Sequence, residues 1–242
     1  MKLITCLFAC VAVLGQAMAE ENWPAFRGPK ALGVSDNPSL PLEWSDKKNV
    51  EWKVAVPGLG WSNPVVHSGR IYLTTAVSDG EIEKRKPGLY FGGDRKEPIK
   101  HMHHFLVLCL ELKTGDFLWQ KEVLAIRPLT PIHVKNSYAA ETPVTDGDRV
   151  YAYFGSHGLY CLDKAGKVLW KKMFKPYKMR NGWGTAASPV LDEGKLIIVN
   201  DNMEDSWAAA YDKVTGRELW KTKRDEPSNW STPYVWHHDG IK

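Results

Sequence analysis

Three observations predict an all-β fold, a partial β-propeller of four-stranded antiparallel blades. First, a turn pattern recurs: residues 110–119 carry Glu111, Thr114, Gly115 and Trp119, residues 162–170 carry Asp163, Gly166 and Trp170, and residues 210–220 carry Asp212, Thr215, Gly216 and Trp220. Second, the three Trp residues recur about every 50 residues, the period of propeller blades or solenoid units. Third, a Pro precedes a short apolar run in each unit, at Pro64, Pro143, Pro189 and Pro233, and a Gly-containing turn follows. Proline suits the first residue of a strand, where no ladder N–H is required.

In chain order, Lys2, an apolar run from Leu3 to Leu14 and Ala17-Met18-Ala19 read as a signal peptide over residues 1–19, which places the protein in the periplasm or outside the cell. A lipoprotein reading at Cys10 would leave a very short leader. No second long apolar run follows, so no transmembrane segment is expected in the mature chain. Residues 20–49, rich in Pro, Gly and Ser, form an extended arm. Residues 50–56 then alternate like a strand around Trp52, the last strand of a blade whose other strands are missing.

The propeller is expected over residues 50–242, with blades at about 61–120, 138–172 and 184–222 and the start of a fourth at 230–242. Second strands are expected at residues 71–75, 150–154 and 196–200. In each returning hairpin the acid accepts backbone N–H bonds, Gly supplies a positive φ, and Trp lies on the outer strand. Gly115, Gly166, Gly216, Asp163, Asp212 and Trp52, Trp119, Trp170 and Trp220 are therefore read as structural repeat positions, the Trp sites as buried. The first blade carries a long insertion, roughly residues 77–103, polar, Gly-rich and mixed in charge, with Glu83-Lys84-Arg85-Lys86 and then Asp94-Arg95-Lys96-Glu97; loops this long are functional or poorly ordered. Ending just past the first turn of a further unit, the chain reads as an N-terminal portion of a longer protein or a truncated product, with the remaining blades as its partners.

Charge excludes one class: 32 basic and 28 acidic residues are intermixed, a net +4 without the clustered basic face that nucleic acid requires. Cys109 and Cys161 hold the same repeat position, filled by Ala210 in the third copy, and read as buried free thiols at a small, tightly packed site in preference to the alternative, a disulfide. Gly-x-Ser-x-Gly, Walker-type and dinucleotide fingerprints are absent.

Residues Phe154-Gly155-Ser156-His157-Gly158-Leu159-Tyr160-Cys161-Leu162-Asp163, with the Thr-Gly turns, resemble the repeat of the pyrroloquinoline quinone (PQQ)-like β-propeller family. Trp23-Pro24-Ala25-Phe26-Arg27-Gly28-Pro29 and Gly60-Trp61-Ser62-Asn63-Pro64-Val65-Val66 are similar to exported BamB-like proteins of that quinoprotein alcohol dehydrogenase-like superfamily. The resemblance implies a propeller, most often eight-bladed, in which each repeat Trp docks on the neighbouring blade. It also implies two functional classes, cofactor-free scaffolds and dehydrogenases with PQQ and a Ca²⁺ held by acidic and amide side chains, often with a disulfide between adjacent cysteines. No adjacent cysteine pair occurs here.

Candidate ligand groups are few. Asn200, Asp201, Asn202, Glu204 and Asp205 carry oxygens suited to calcium, although Asp/Asn clusters are ordinary turn chemistry, the preferred reading. Asn136, Asn181 and Trp183 precede successive blades at equivalent places and would face a ligand if they converge on the channel. His157, where the repeat commonly has an acid, reads as an exposed turn residue with a possible ligand role. His101-Met102-His103-His104 lacks a third ligand at metal spacing. The expectation is an exported, noncatalytic scaffold that binds a protein or an extracellular polymer, with no catalytic residue, cofactor or metal; the alternatives are a PQQ/Ca²⁺ oxidoreductase and a truncated propeller without independent function.

Overall fold

The computed structural model describes residues 22–85 and 87–238; the signal peptide expected over residues 1–19, Lys86 and the expected turn at Asp239-Gly240 lie outside them. Among the described residues twelve strands form three four-stranded antiparallel sheets, each in sequential order. The first contains β1 (Val65–His67), β2 (Arg70–Ser78), β3 (His103–Glu111) and β4 (Phe117–Ile126). The second holds β5 (Val144–Thr145), β6 (Arg149–Tyr153), β7 (Leu159–Asp163) and β8 (Val168–Lys172), and the third β9 (Val190–Asp192), β10 (Lys195–Asn200), β11 (Trp207–Asp212) and β12 (Glu218–Lys223). The first strands β1, β5 and β9 lie side by side, as inner strands around a propeller axis do. No helix among the described residues is long and apolar enough to cross a membrane.

Strand period explains the core. Successive side chains point to opposite faces, so on β7 Tyr160 and Leu162 pack with Phe105, Val107 and Cys109 of the first sheet. Leu159 and Cys161, which alternate with them in sequence, pack with Leu196, Ile198, Trp207 and Tyr211 of the third. A central strand buried on both faces reads as a continuous apolar run. Cys109 and Cys161 are fully buried free thiols, each directly across the ladder from its repeat Trp.

The turn hypothesis holds at atomic level. Asp163 Oδ1 accepts the N–H groups of Ala165 and Lys167, both at 2.9 Å, and Asp212 Oδ1 accepts those of Val214 and Thr215 at 3.1 and 2.8 Å. Glu111, one methylene longer, takes the Thr114 hydroxyl instead. Gly115, Gly166 and Gly216 have φ of 77°, 81° and 71°, the left-handed region that only glycine enters at little cost.

Sequence reading did not find the bulges. Register shifts at Cys109/Leu110, Cys161/Leu162 and Ala210/Tyr211 leave Leu118, Leu169 and Leu219 as the extra residue immediately before each Trp. A bulge bends its strand and re-aims the neighbouring side chain. Trp119 is thereby laid over Gly166 of the next sheet, with Nε1 donating to Lys164 O at 2.9 Å, and Trp170 lies over Gly216, donating to Lys213 O at 3.2 Å. Trp52 does the same to the first sheet, over Gly115 and onto Leu112 O at 3.0 Å.

Two expectations are corrected. Trp220 is 41% exposed, because no turn among the described residues meets its ring. Residues 51–56 and 233–235 form no ladder among the described residues; Trp52 and Val54 instead pack on Ile71, Leu108 and Leu110 from the side.

Candidate functional site

The inner end of each sheet begins with a hydroxyl or amide residue before Pro, and these residues are chained together. The Asn63 N–H donates to Thr142 Oγ1 at 3.0 Å, the Thr142 N–H to Ser188 Oγ at 2.9 Å, and the Ser188 N–H to Thr232 Oγ1 at 3.0 Å. The recurrent residue before Pro was visible in sequence, but its hydroxyl role was not. Ser188→Ala is expected to strand the buried Thr142 N–H and cost about 1–3 kcal/mol, with Ser188→Thr recovering most of it in a denaturant titration.

Across this belt runs the N-terminal arm. Trp23 forms an antiparallel bridge with Val66, and Pro24 O accepts the Thr145 N–H at 2.9 Å, so the arm ties β1 to β5. Beyond Pro24, Phe26 and Arg27 line a cavity of about 550 Å³ with Trp61, Asn136, Trp230 and Tyr234. Trp61 is 50% exposed and carries the Arg85 guanidinium over its ring at 4.5 Å.

Asn136 and Trp183 lie side by side, and their polar atoms bond to protein. Asn136 Nδ2 donates to Trp183 O and Thr185 O at 2.9 and 3.3 Å, and Oδ1 accepts the Ser137 N–H at 2.8 Å. Trp61 and Trp230 each donate to a carbonyl of a neighbouring segment, Lys135 O and Gly184 O, both at 2.7 Å. The insertion, residues 79–102, covers this face. Arg95 N–H donates to Asn181 O at 2.8 Å, Trp183 Nε1 donates to Gly93 O at 3.3 Å, and Phe91 meets the Trp183 ring edge-on at 5.5 Å. The long loop is thus a packed roof, and Asn181 and Trp183 are its anchors.

His157 is not an exposed turn residue: it is 2% exposed. Gly155, at φ 55°, opens a 3₁₀ turn (Gly155–His157) that tucks the imidazole between Phe105, stacked at 4.8 Å, and Tyr138 at 5.3 Å. Nδ1 donates to Phe154 O and Nε2 accepts the Leu129 N–H at 3.0 Å. Burial pushes its pKa down to about 4, so it is a neutral packing residue that pins the 127–132 segment. His103 and His104 point to opposite sides of β3. His104 bridges Glu122 at 2.8 Å and Asp79 at 3.0 Å, and the Glu122 carboxylate raises its pKa.

The calcium candidates do not fit a calcium ion. Asn202 Oδ1 accepts the N–H groups of Glu204 and Asp205, while its Nδ2 donates to Asn200 Oδ1 and Asp205 O. Asp201 holds Arg224 through both oxygens, at 2.7 and 3.2 Å, and Asp205 faces Lys175 at 3.8 Å. Calcium requires six to eight oxygens converging at roughly 2.3–2.6 Å, whereas these oxygens are spent on a turn and two cations. Among the described residues no group of three or more His, Cys, Asp or Glu is placed to hold a metal.

Sequence reading passed over Glu141, next to the belt. It is 1% exposed, its side chain bonds to Thr185, and Oε1 has no partner. Burial pushes its pKa up to about 7.

Comparison with known proteins places this architecture. The family model described as outer membrane protein assembly factor BamB matches residues 103–233. Outer membrane protein assembly factor BamB of Burkholderia pseudomallei (strain K96243) is 25% identical over 205 residues, 76% of this chain and 50% of the relative, so the chain spans about half the length of that curated relative. Among solved structures, the quinohemoprotein alcohol dehydrogenase of Comamonas testosteroni superposes with a TM-score of 0.54 at 20% identity, over 84% of this chain and 27% of that one. The quinohemoprotein alcohol dehydrogenase ADHIIG of Pseudomonas putida HK5 gives 0.51 at 18%, over 84% and 26%. At such identities these two structures speak for the fold alone.

Proposed function

Since this chain belongs to the family of outer membrane protein assembly factor BamB, a PQQ-repeat propeller family, we propose that it is an exported, noncatalytic propeller scaffold that binds a protein or an extracellular polymer. The relative's name makes a protein of outer-membrane assembly the first partner to try, at the periplasmic side of that membrane. In this reading the blades that would complete the ring are supplied by further chain.

The observation that carries the proposal is how the axis is used. Its arm, its hydroxyl belt and its amide and indole groups are hydrogen-bonded within the protein, and Asp201 and Asp205 are engaged with Arg224 and Lys175. A binding scaffold needs a rigid face and exposed loops; a quinoprotein needs convergent free donors at the axis.

The test is incubation of the purified protein with PQQ and Ca²⁺, then alcohols or sugars with an artificial electron acceptor. No turnover above buffer is expected. Reproducible turnover would replace the scaffold reading with the PQQ/Ca²⁺ oxidoreductase, and its loss in Asp205→Ala or Asn202→Ala would locate the site.

A further inference from the structure

Between the first sheet and the insertion that roofs it lies a cavity of about 150 Å³, and its wall is chemically lopsided. His103, almost fully buried, lines it; Nδ1 donates to His101 O at 3.0 Å, which leaves Nε2 as a lone-pair acceptor, and Nε2 has no partner. Glu81 and Glu97 stand exposed at the mouth, in no ion pair among the described residues. Arg95, also in the lining, uses Nη1 and Nη2 on Glu83 at 2.7 and 3.4 Å, while its buried Nε–H has no partner. Tyr138 is committed, accepting the Ile99 N–H at 3.4 Å and donating to Thr130 O at 2.8 Å, so it serves as wall.

Free acceptors therefore outnumber free donors, two carboxylates and an imidazole nitrogen against one guanidinium N–H. Orphaned buried polar atoms are rare and call for an occupant. The volume is below the roughly 300 Å³ at which drug-sized pockets begin, which limits the occupant to a small molecule.

We infer that this cavity binds a small molecule carrying an amino group beside a carbonyl or carboxylate, a free amino acid or the amino end of a peptide. The ammonium would face Glu81, Glu97 and His103 Nε2, and the carbonyl oxygen would accept the Arg95 Nε–H. Charge-assisted bonds of this kind are the stronger ones. Burial lowers the pKa of His103, which keeps Nε2 an acceptor at neutral pH. This inference is independent of the partner bound by the propeller face.

Saturation-transfer NMR on the full chain with alanine, alanyl-alanine and N-acetylalanine tests it. Saturable binding of alanine or alanyl-alanine is expected, the tighter of the two naming the source, with N-acetylalanine at least tenfold weaker. Arg95→Ala and the surface variant Glu97→Gln should each weaken binding tenfold or more. Glu97→Gln also guards against a loosened roof, because an exposed carboxamide leaves the fold in place. Absence of saturable binding by both amines, equal binding of the acetylated probe, or unchanged affinity in Glu97→Gln would overturn the assignment.

Discussion

Trp119→Ala is expected to lower the unfolding free energy by about 3 kcal/mol, the low end for removing a core Trp because the ring edge stays in water. Three things are lost: the Nε1 bond to Lys164 O, the contact with Tyr72 at 6.0 Å between centroids, and the cover over Gly166. Gly166→Ala attacks the same joint from the other side. Its backbone sits at φ 81° and an added Cβ would lie 2.8 Å from the indole, so about 2 kcal/mol is expected from backbone strain and displacement of the ring. Because both variants break one contact, their effects should fall short of additive by about 1 kcal/mol or more. Trp220→Ala is the internal control, at under about 1 kcal/mol, since its ring covers no turn among the described residues. Equal losses at Trp119 and Trp220 in urea titrations would contradict inter-sheet docking as the source of the stability.

The second large effect is a pH dependence from Glu141. Its proton is held more tightly in the folded chain, with a pKa near 7 against an ordinary 4.5. Below pH 4.5 the carboxyl is protonated in both states and its contribution to stability is fully present. As pH rises the unfolded chain ionises first and gains, and the contribution is lost by the time pH passes 7, about 3 kcal/mol in all. Glu141→Gln keeps the shape and cannot ionise, so it should be more stable than the parent above pH 7 and nearly equal to it at pH 4.5. Melts from pH 5 to 8 that fall in parallel for parent and variant would remove Glu141 as the cause.

Both predictions concern groups that sequence reading saw unequally. Trp119 and Gly166 were legible because a repeat states the same packing problem several times, and an indole four residues after a turn Gly stands out against a changing background. Glu141 carried no such signal. At the corresponding places stand Ser62, Ala187 and Ser231, and a carboxylate there reads as one more surface acid until a neighbouring sheet is seen to cover it. His157 failed for the same reason: a polar residue between two glycines looks like an exposed loop tip, and only the approach of residues 127–132 makes it a buried one.

By itself, the sequence determined the all-β architecture, the second strands, the turn chemistry and the free thiols, all of which follow from side-chain period, glycine's access to positive φ and the missing N–H of proline. Those are properties of a residue and its near neighbours along the chain. Tertiary structure alone decided where residues 79–102 lie, that the arm crosses the inner strands from Trp23 to Pro24, that Trp119 and Trp170 are each aimed by a bulge at the next sheet, and that Asp201 and Asp205 are spent on Arg224 and Lys175. Each of these depends on groups tens of residues apart in sequence. Their meeting is set by how the sheets stack, which no local pattern encodes.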